Sequence, residues 1–273
     1  MNPGGRYTQD FDVLAADAIA ALAAARGLAG DRVERVGYVG GSQGGWIGPL
    51  AASRSDVDFV IALFGMAEGP LAEDRGQVIR DVADAGFGAD EQQKAARLSE
   101  AAGQIMASDF QSGYRAFDQL RNQYRSEPWF DAVEGEFTGE MLPYPEIALR
   151  LLGPFYDVGT SWEYDPMATL RGLRTPQFWV LAADDVEAPP EETIRRLRSL
   201  QDEGAPIDLA VYPNADHGMI RVETVNGERR ELAHVEDYYR VLGSWILTAS
   251  LDLARAGGAE VSQSASAVPP AAP

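Results

Sequence analysis

The chain reads as a three-layer α/β protein with a parallel sheet and a helical insertion, and three observations carry that reading. Short apolar runs near 35–40, 57–63, 177–182 and 207–212 alternate with stretches whose apolar residues recur at helical spacing. Residues 66–165, by contrast, are helix-prone and hold no convincing strand. Finally, the turn Gly40-Gly41-Ser42-Gln43-Gly44 lies where the first strand runs into a helix.

Taken in order, Asp10 is placed to cap a helix striped by Phe11, Leu14, Ala15, Ala18, Ile19 and Leu22 that ends near Gly27. The first strand follows, then a helix carrying Trp46, Ile47, Leu50 and Ala51 at helical spacing, then the second strand. Within the insertion, helices are expected at 73–85, 90–108, 114–125 and 145–152, with aromatic punctuation that includes Trp129 and Trp162. After the third strand, Pro190 opens a helix whose first turn holds Glu191 and Glu192, as the helix dipole favours. Ile194, Leu197 and Leu200 share one face of it, and Gly204 stops it. A fourth strand leads into Pro213-Asn214-Ala215-Asp216-His217-Gly218, and a last helix is expected over 232–253, including His234. From Ala259 onward the chain is Ser, Ala and Pro without a core pattern, which predicts disorder. The expected organisation is a core of 1–65 and 166–254, an insertion of 66–165 covering one end of the sheet, and a tail of 255–273.

Composition narrows the chemistry. A formal net charge of -19 repels nucleic acid and anionic membrane surfaces, so neither is an expected partner. With no cysteine, disulfides, thiolate metal sites and a thiol nucleophile are excluded. No stretch approaches a membrane span and no signal peptide opens the sequence, so the default expectation is a cytoplasmic protein unless a segment precedes residue 1.

A serine on a tight strand-to-helix turn is forced into a strained conformation that pushes its hydroxyl clear of the sheet. The flanking glycines leave room for it. The alternative is a glycine-rich turn that only packs a strand tightly against a helix, or a phosphate-binding loop, but no Lys follows to make a P-loop, and Asp56 and Asp58 come too early for a dinucleotide site. Serine needs a base, and the chain has two histidines. His217 follows a strand in a loop, where catalytic groups of parallel sheets collect, whereas His234 is expected inside a helix. The base needs an acceptor on its far nitrogen, and the loop after the third strand offers Asp184 and Asp185. Asp216 is too close to His217 in sequence for a linear bond to its ring, so its expected role is structural.

These segments resemble the α/β-hydrolases, in particular the bacterial serine aminopeptidase and dienelactone hydrolase-like group. Gly40 to Trp46 is similar to that group's nucleophile elbow, and 213–218 to its histidine loop. Ala182-Ala183-Asp184-Asp185-Val186-Glu187-Ala188-Pro189 is similar to its acid segment, in a register that assigns the acid to Asp185. Tyr164-Asp165-Pro166, before the acid strand, is also similar. The resemblance implies Ser42 as nucleophile, His217 as base, Asp185 as its orienting acid and the Gln43 N–H as an oxyanion donor. In that family several strands precede the helix leading into the elbow, and their first crossover loop supplies the second oxyanion donor. Here the sheet is therefore expected to be incomplete at its N-terminal side, with Gly4-Gly5 before the wrong helix to substitute. Losing one such donor costs about 3–4 kcal/mol of transition-state stabilisation.

The expected function is hydrolysis of a carboxylic ester, thioester or amide through an acyl-enzyme on Ser42, with an ester favoured on chemical ease. Trp46, Trp129 and Trp162 are the expected walls of an apolar substrate pocket. No metal and no organic cofactor is implied, the partner is a small-molecule ester or amide, and an exposed sheet edge would favour an oligomer. The competing class is a truncated, catalytically impaired relative that only binds. A peptidase or an acyltransferase of the same fold is a further alternative.

Overall fold

The computed structural model describes residues 9–236, 238–251 and 258–264. Each of the four apolar runs forms a strand: β1 (Gly37–Gly41), β2 (Phe59–Leu63), β3 (Gln177–Ala182) and β4 (Ile207–Tyr212). They lie side by side in that order, all parallel. Because β3 and β4 are covered on both faces, they read as unbroken apolar runs rather than alternating ones. Successive side chains still point to opposite sides. Phe178 and Val180 face one cluster with Phe59, Ile61 and Trp245, while Trp179 and Leu181 face another with Leu197, Leu200 and Leu209.

Helices form the outer layers. α1 (Phe11–Ala29) starts where Asp10 Oδ1 accepts the Val13 N–H at 2.9 Å, and it packs Phe11 and Ala15 on Trp46 and Leu50 of α2 (Gly44–Ala52). Between β2 and β3 the chain is helical, as expected: α3 (Pro70–Asp84), α4 (Ala89–Ala107), α5 (Tyr114–Tyr124), α6 (Thr138–Met141) and α7 (Glu146–Tyr156). These helices pack around two clusters of their own, one on Leu98, Ile105, Tyr114 and Phe117 and one on Val78, Val82, Tyr124 and Trp129. α8 (Pro166–Gly172), capped by Asp165, returns the chain to β3, and α9 (Glu191–Asp202) joins β3 to β4.

The structure departs from expectation in two places after β4. A short strand β5 (Ala215–Asp216) pairs with β6 (Ile220–Val225), which turns through Asn226 and Gly227 into β7 (Glu228–His234). His234 is thus on an exposed strand, not in a helix. Both turn residues have positive φ, 55° and 83°, the conformation that an Asn-Gly pair adopts at low cost in a two-residue hairpin. β7 is exposed along its whole length, so it carries no apolar alternation to announce a strand. The last helix, α10 (Tyr238–Thr248), starts later than expected.

The second departure is β8 (Glu260–Ser262), which falls in the segment expected to be a disordered tail. It pairs antiparallel with β4 and closes that edge of the sheet. Arg198 pairs with Glu260, Ser262 Oγ bonds Gln201 Oε1, and Val261 packs on the core, so three short contacts hold a strand too brief to show a pattern. Residues 252–257 and 265–273, also assigned to the last helix and the tail, lie outside the described residues, as do Gly4 and Gly5. At the opposite edge β1 has β2 as its one strand neighbour among the described residues. No described helix is long and apolar enough to cross a membrane.

Candidate active site

Backbone crowding at the end of β1 creates the serine turn. A Cβ on Gly40 would meet the Gly44 carbonyl oxygen at 2.4 Å, and one on Gly45 would meet the Gly65 Cα at 2.8 Å, so strand, turn and α2 close only around bare backbone. Ser42 sits at the apex with φ 51°, left-handed territory that costs a non-glycine residue of order 1–3 kcal/mol. Its N–H donates to Leu63 O at 3.0 Å and its carbonyl accepts from Gly45 N at 2.8 Å, which hold the strained residue in place. The Gln43 N–H lies at the start of α2, where the unpaired amides of a helix favour negative charge.

The acid and the histidine come from the same end of the sheet. Asp185 follows β3 and is buried, 1% exposed. Its Oδ2 lies 2.9 Å from His217 Nδ1, while Oδ1 accepts the Glu187 and Ala188 N–H groups at 3.0 and 2.8 Å. The other candidate, Asp184, is committed elsewhere, since its Oδ2 caps the Asn214 N–H at 2.9 Å. Asp216 is structural, as expected: Oδ1 accepts from His217 N and Val186 N, and Oδ2 pairs with Arg229 at 2.6 Å. The histidine loop therefore rests on two carboxylates, and a third orients its ring. Phe64 closes the gap to the elbow. Its ring meets His217 edge-on at 4.8 Å and lies so close to Gly41 that a Cβ there would be 2.6 Å away.

Among the described residues no hydrogen bond joins Ser42 Oγ to the imidazole; the carboxylate facing His217 Nε2 is Glu187, with Oε2 at 3.6 Å. Burial disfavours the charged ring, yet the hydrogen bond and charge of Asp185, with the charges of Glu187 and Glu73, outweigh it and push His217 above its ordinary value. Glu73, in the first turn of α3, is pushed up to about 8, by burial first and then by Glu136. Glu136 is itself raised by burial and by the charge of Glu187. Three side chains of α3 hold the loop that carries Glu136. Asp81 Oδ2 accepts from Glu134 N and Gly135 N, Gln77 Oε1 from Glu136 N, and Asp74 from Phe137 N, Thr138 N and Thr138 Oγ1.

Of the three tryptophans expected to wall a pocket, Trp162 borders a cavity among the described residues. It lines a cavity of about 590 Å³ with Phe110, Phe137, Met141, Leu149 and Leu152. Its indole N–H is buried without an acceptor among the described residues. Trp46 is core instead, stacked on Phe11 with Nε1 bonded to Glu68 O at 2.7 Å. Trp129 is core as well, 1% exposed, with Nε1 bonded to Glu127. Sequence cannot tell a tryptophan facing a helix from one facing a cavity, because both sit at the same spacing. The cavity reaches Gln9, whose Oε1 accepts from Thr160 Oγ1 and from Gln43 Nε2, next to Ser42. Glu73, Glu136, Phe64 and Glu187 were not singled out in the sequence; for Glu187 the one available signal was its place two residues beyond Asp185.

A model of the prolyl oligopeptidase family matches residues 156–241, a segment that holds Asp185 and His217 but not Ser42. No curated protein matches significantly. Similar solved structures include an acylaminoacyl peptidase of Pyrococcus horikoshii, 16% identical over 74% of this chain and 23% of that one, TM-score 0.35. A puromycin-hydrolyzing peptidase of Mycobacterium tuberculosis is 16% identical over 76% and 22%, TM-score 0.40. A thermophilic esterase from Thermogutta terrifontis is 17% identical over 77% and 66%, TM-score 0.38. The chain thus spans under a quarter of the first two structures and about two thirds of the third. Scores this low add no weight; the parallel sheet, the left-handed Ser42 between β1 and α2, Asp185 after β3 and His217 after β4 do, and they give this chain the arrangement of an α/β-hydrolase fold.

Proposed function

We propose that the protein hydrolyses a carboxylic ester through an acyl-enzyme on Ser42. The observation that carries this reading is the Asp185–His217 bond of 2.9 Å, assembled at the same sheet end as the strained Ser42 turn. In the reaction His217 Nε2 takes the Ser42 hydroxyl proton as Oγ bonds to the substrate carbonyl carbon. Asp185 fixes the Nδ1–H tautomer and stabilises the imidazolium. The Gln43 N–H meets the developing oxyanion. The imidazolium then protonates the leaving alcohol, and water, deprotonated by the same nitrogen, releases the acid and restores Ser42. The cavity lined by Phe137, Met141 and Trp162 supports an apolar acyl or alcohol group as its occupant.

Amide cleavage is the second reading, favoured by the match of the acid–histidine segment to the prolyl oligopeptidase family. One experiment tests the common step. Intact-mass analysis after fluorophosphonate treatment should show a single adduct, lost in Ser42→Ala and His217→Ala. Paired 4-nitrophenyl ester and anilide substrates then separate ester from amide. A well-folded protein that takes no adduct would mean a binding protein rather than a hydrolase.

A further inference from the structure

The orienting acid is not the only carboxylate on the histidine. Glu187 lies two residues further along the same loop, its carboxylate 3.6 Å from Nε2, the nitrogen that must serve Ser42. The loop holds it there: Asp185 Oδ1 accepts the Glu187 N–H at 3.0 Å, so one carboxylate binds His217 Nδ1 and also anchors the residue facing Nε2. Glu187 is 61% exposed and free to swing into solvent, unlike Asp185 at 2%. Serine has no hydrogen bond to the ring in this arrangement.

We propose that Glu187 is a positioning residue that occupies His217 Nε2 in the resting enzyme and must leave before Ser42 can couple to its base. The proposal rests on the roles assigned above to Ser42 and His217. The contact is attractive only while the ring carries both protons, one toward Asp185 and one toward Glu187. When Nε2 loses its proton, its lone pair faces a carboxylate and the contact becomes repulsive. Glu187 then swings out, and the Ser42 hydroxyl can donate to the vacated nitrogen. The other titratable groups facing the ring are Asp185 from the same loop and Glu73 from α3, with Glu136 beyond it and the neutral Phe64 ring on the elbow side. Glu187 reaches the ring from an exposed position, so it can move without breaking the fold.

The test is Glu187→Gln, read in two ways. The first is an NMR titration of the His217 ring, in a His234→Asn background that leaves one histidine to observe. The second is the pH profile of kcat/KM with 4-nitrophenyl acetate, a neutral ester. Removing a partly exposed charge at ion-pair distance should lower the His217 midpoint by about half a pH unit or more. On the acid limb kcat/KM then rises about threefold, while the alkaline plateau, where Glu187 has already left, is unchanged. Glu187→Asp, which keeps the charge, should fall between, and high salt should move the wild type toward Gln. An unchanged midpoint overturns the proposal, as does a plateau that falls with rising KM, which would put Glu187 in substrate binding. Because the titration needs no turnover, a shifted midpoint in a protein that hydrolyses nothing upholds the contact and sinks the hydrolase reading instead.

Discussion

Glu73 shows what a single residue near this site gives up. A carboxyl raised to about 8 keeps its proton in the folded protein at neutral pH, whereas in the unfolded chain it ionises near its ordinary 4.5. Between those values the folded state binds more protons than the unfolded state, so stability falls as pH rises, and it is fully present only below the lower value. Glu73→Gln removes this slope. We expect the urea midpoint of the wild type to drop from pH 5 to pH 9 by clearly more than that of the variant, and parallel curves would refute the assignment. His217 moves in the opposite chemical sense, since its charged form is the one favoured by its neighbours. Its contribution is present below its ordinary value and lost as pH rises through the higher folded value. The two groups interact with each other and load the protein in the same direction, toward greater stability on the acid side.

Elements carry the next level of control, and α3 is the clearest case. Asp74 is 1% exposed and accepts four hydrogen bonds, from Ser99 Oγ, Phe137 N, Thr138 N and Thr138 Oγ1, which ties α4 and the loop before α6 to one carboxylate. Asp74→Ala strands those donors in a dry interior and should cost on the order of 3 kcal/mol in denaturant unfolding. Phe137 stacks edge-on against Trp162 at 4.8 Å in the cavity wall, so KM for an apolar ester should rise in the same variant while kcat for 4-nitrophenyl acetate changes less. A stability loss below about 0.5 kcal/mol would show that the clamp is redundant. The elbow shows the opposite economy. Gly40, Gly45 and Gly65 bring backbones together without side chains, and the strain at Ser42 is held by main-chain bonds. Glycine spacing and strand-then-helix patterning make such an element readable in advance. The β6–β7 hairpin was readable through Asn226-Gly227 alone, and its exposed strands hid the rest.

At the scale of the whole molecule, the two sheet edges differ. β4 is covered by β8, and ending the chain after residue 257 would bare the β4 amides and carbonyls and release Ser264 N from Asp208 Oδ1. We expect that truncation to lower the unfolding midpoint and promote concentration-dependent association, checked by light scattering against the full chain. Unchanged stability and size would show β8 to be ornamental. β1, at the other end, has no second strand neighbour among the described residues, and its Val39, beside the serine turn, is 53% exposed.

Apolar periodicity and turn chemistry determined, by themselves, the four parallel strands, their order of use, the helical insertion between β2 and β3, and a serine, an acid and a histidine each following a strand. Those features are local, written into neighbouring residues by sterics and burial. The register of the acid segment already pointed to Asp185, but only the tertiary structure committed Asp184 to Asn214, moved Trp46 and Trp129 into the core, added β8, and brought Glu73, Glu136 and Glu187 near one imidazole. Which carboxylate meets a ring, and which indole meets a cavity, depends on how distant segments pack. One residue of register changes the answer and leaves the pattern along the chain the same.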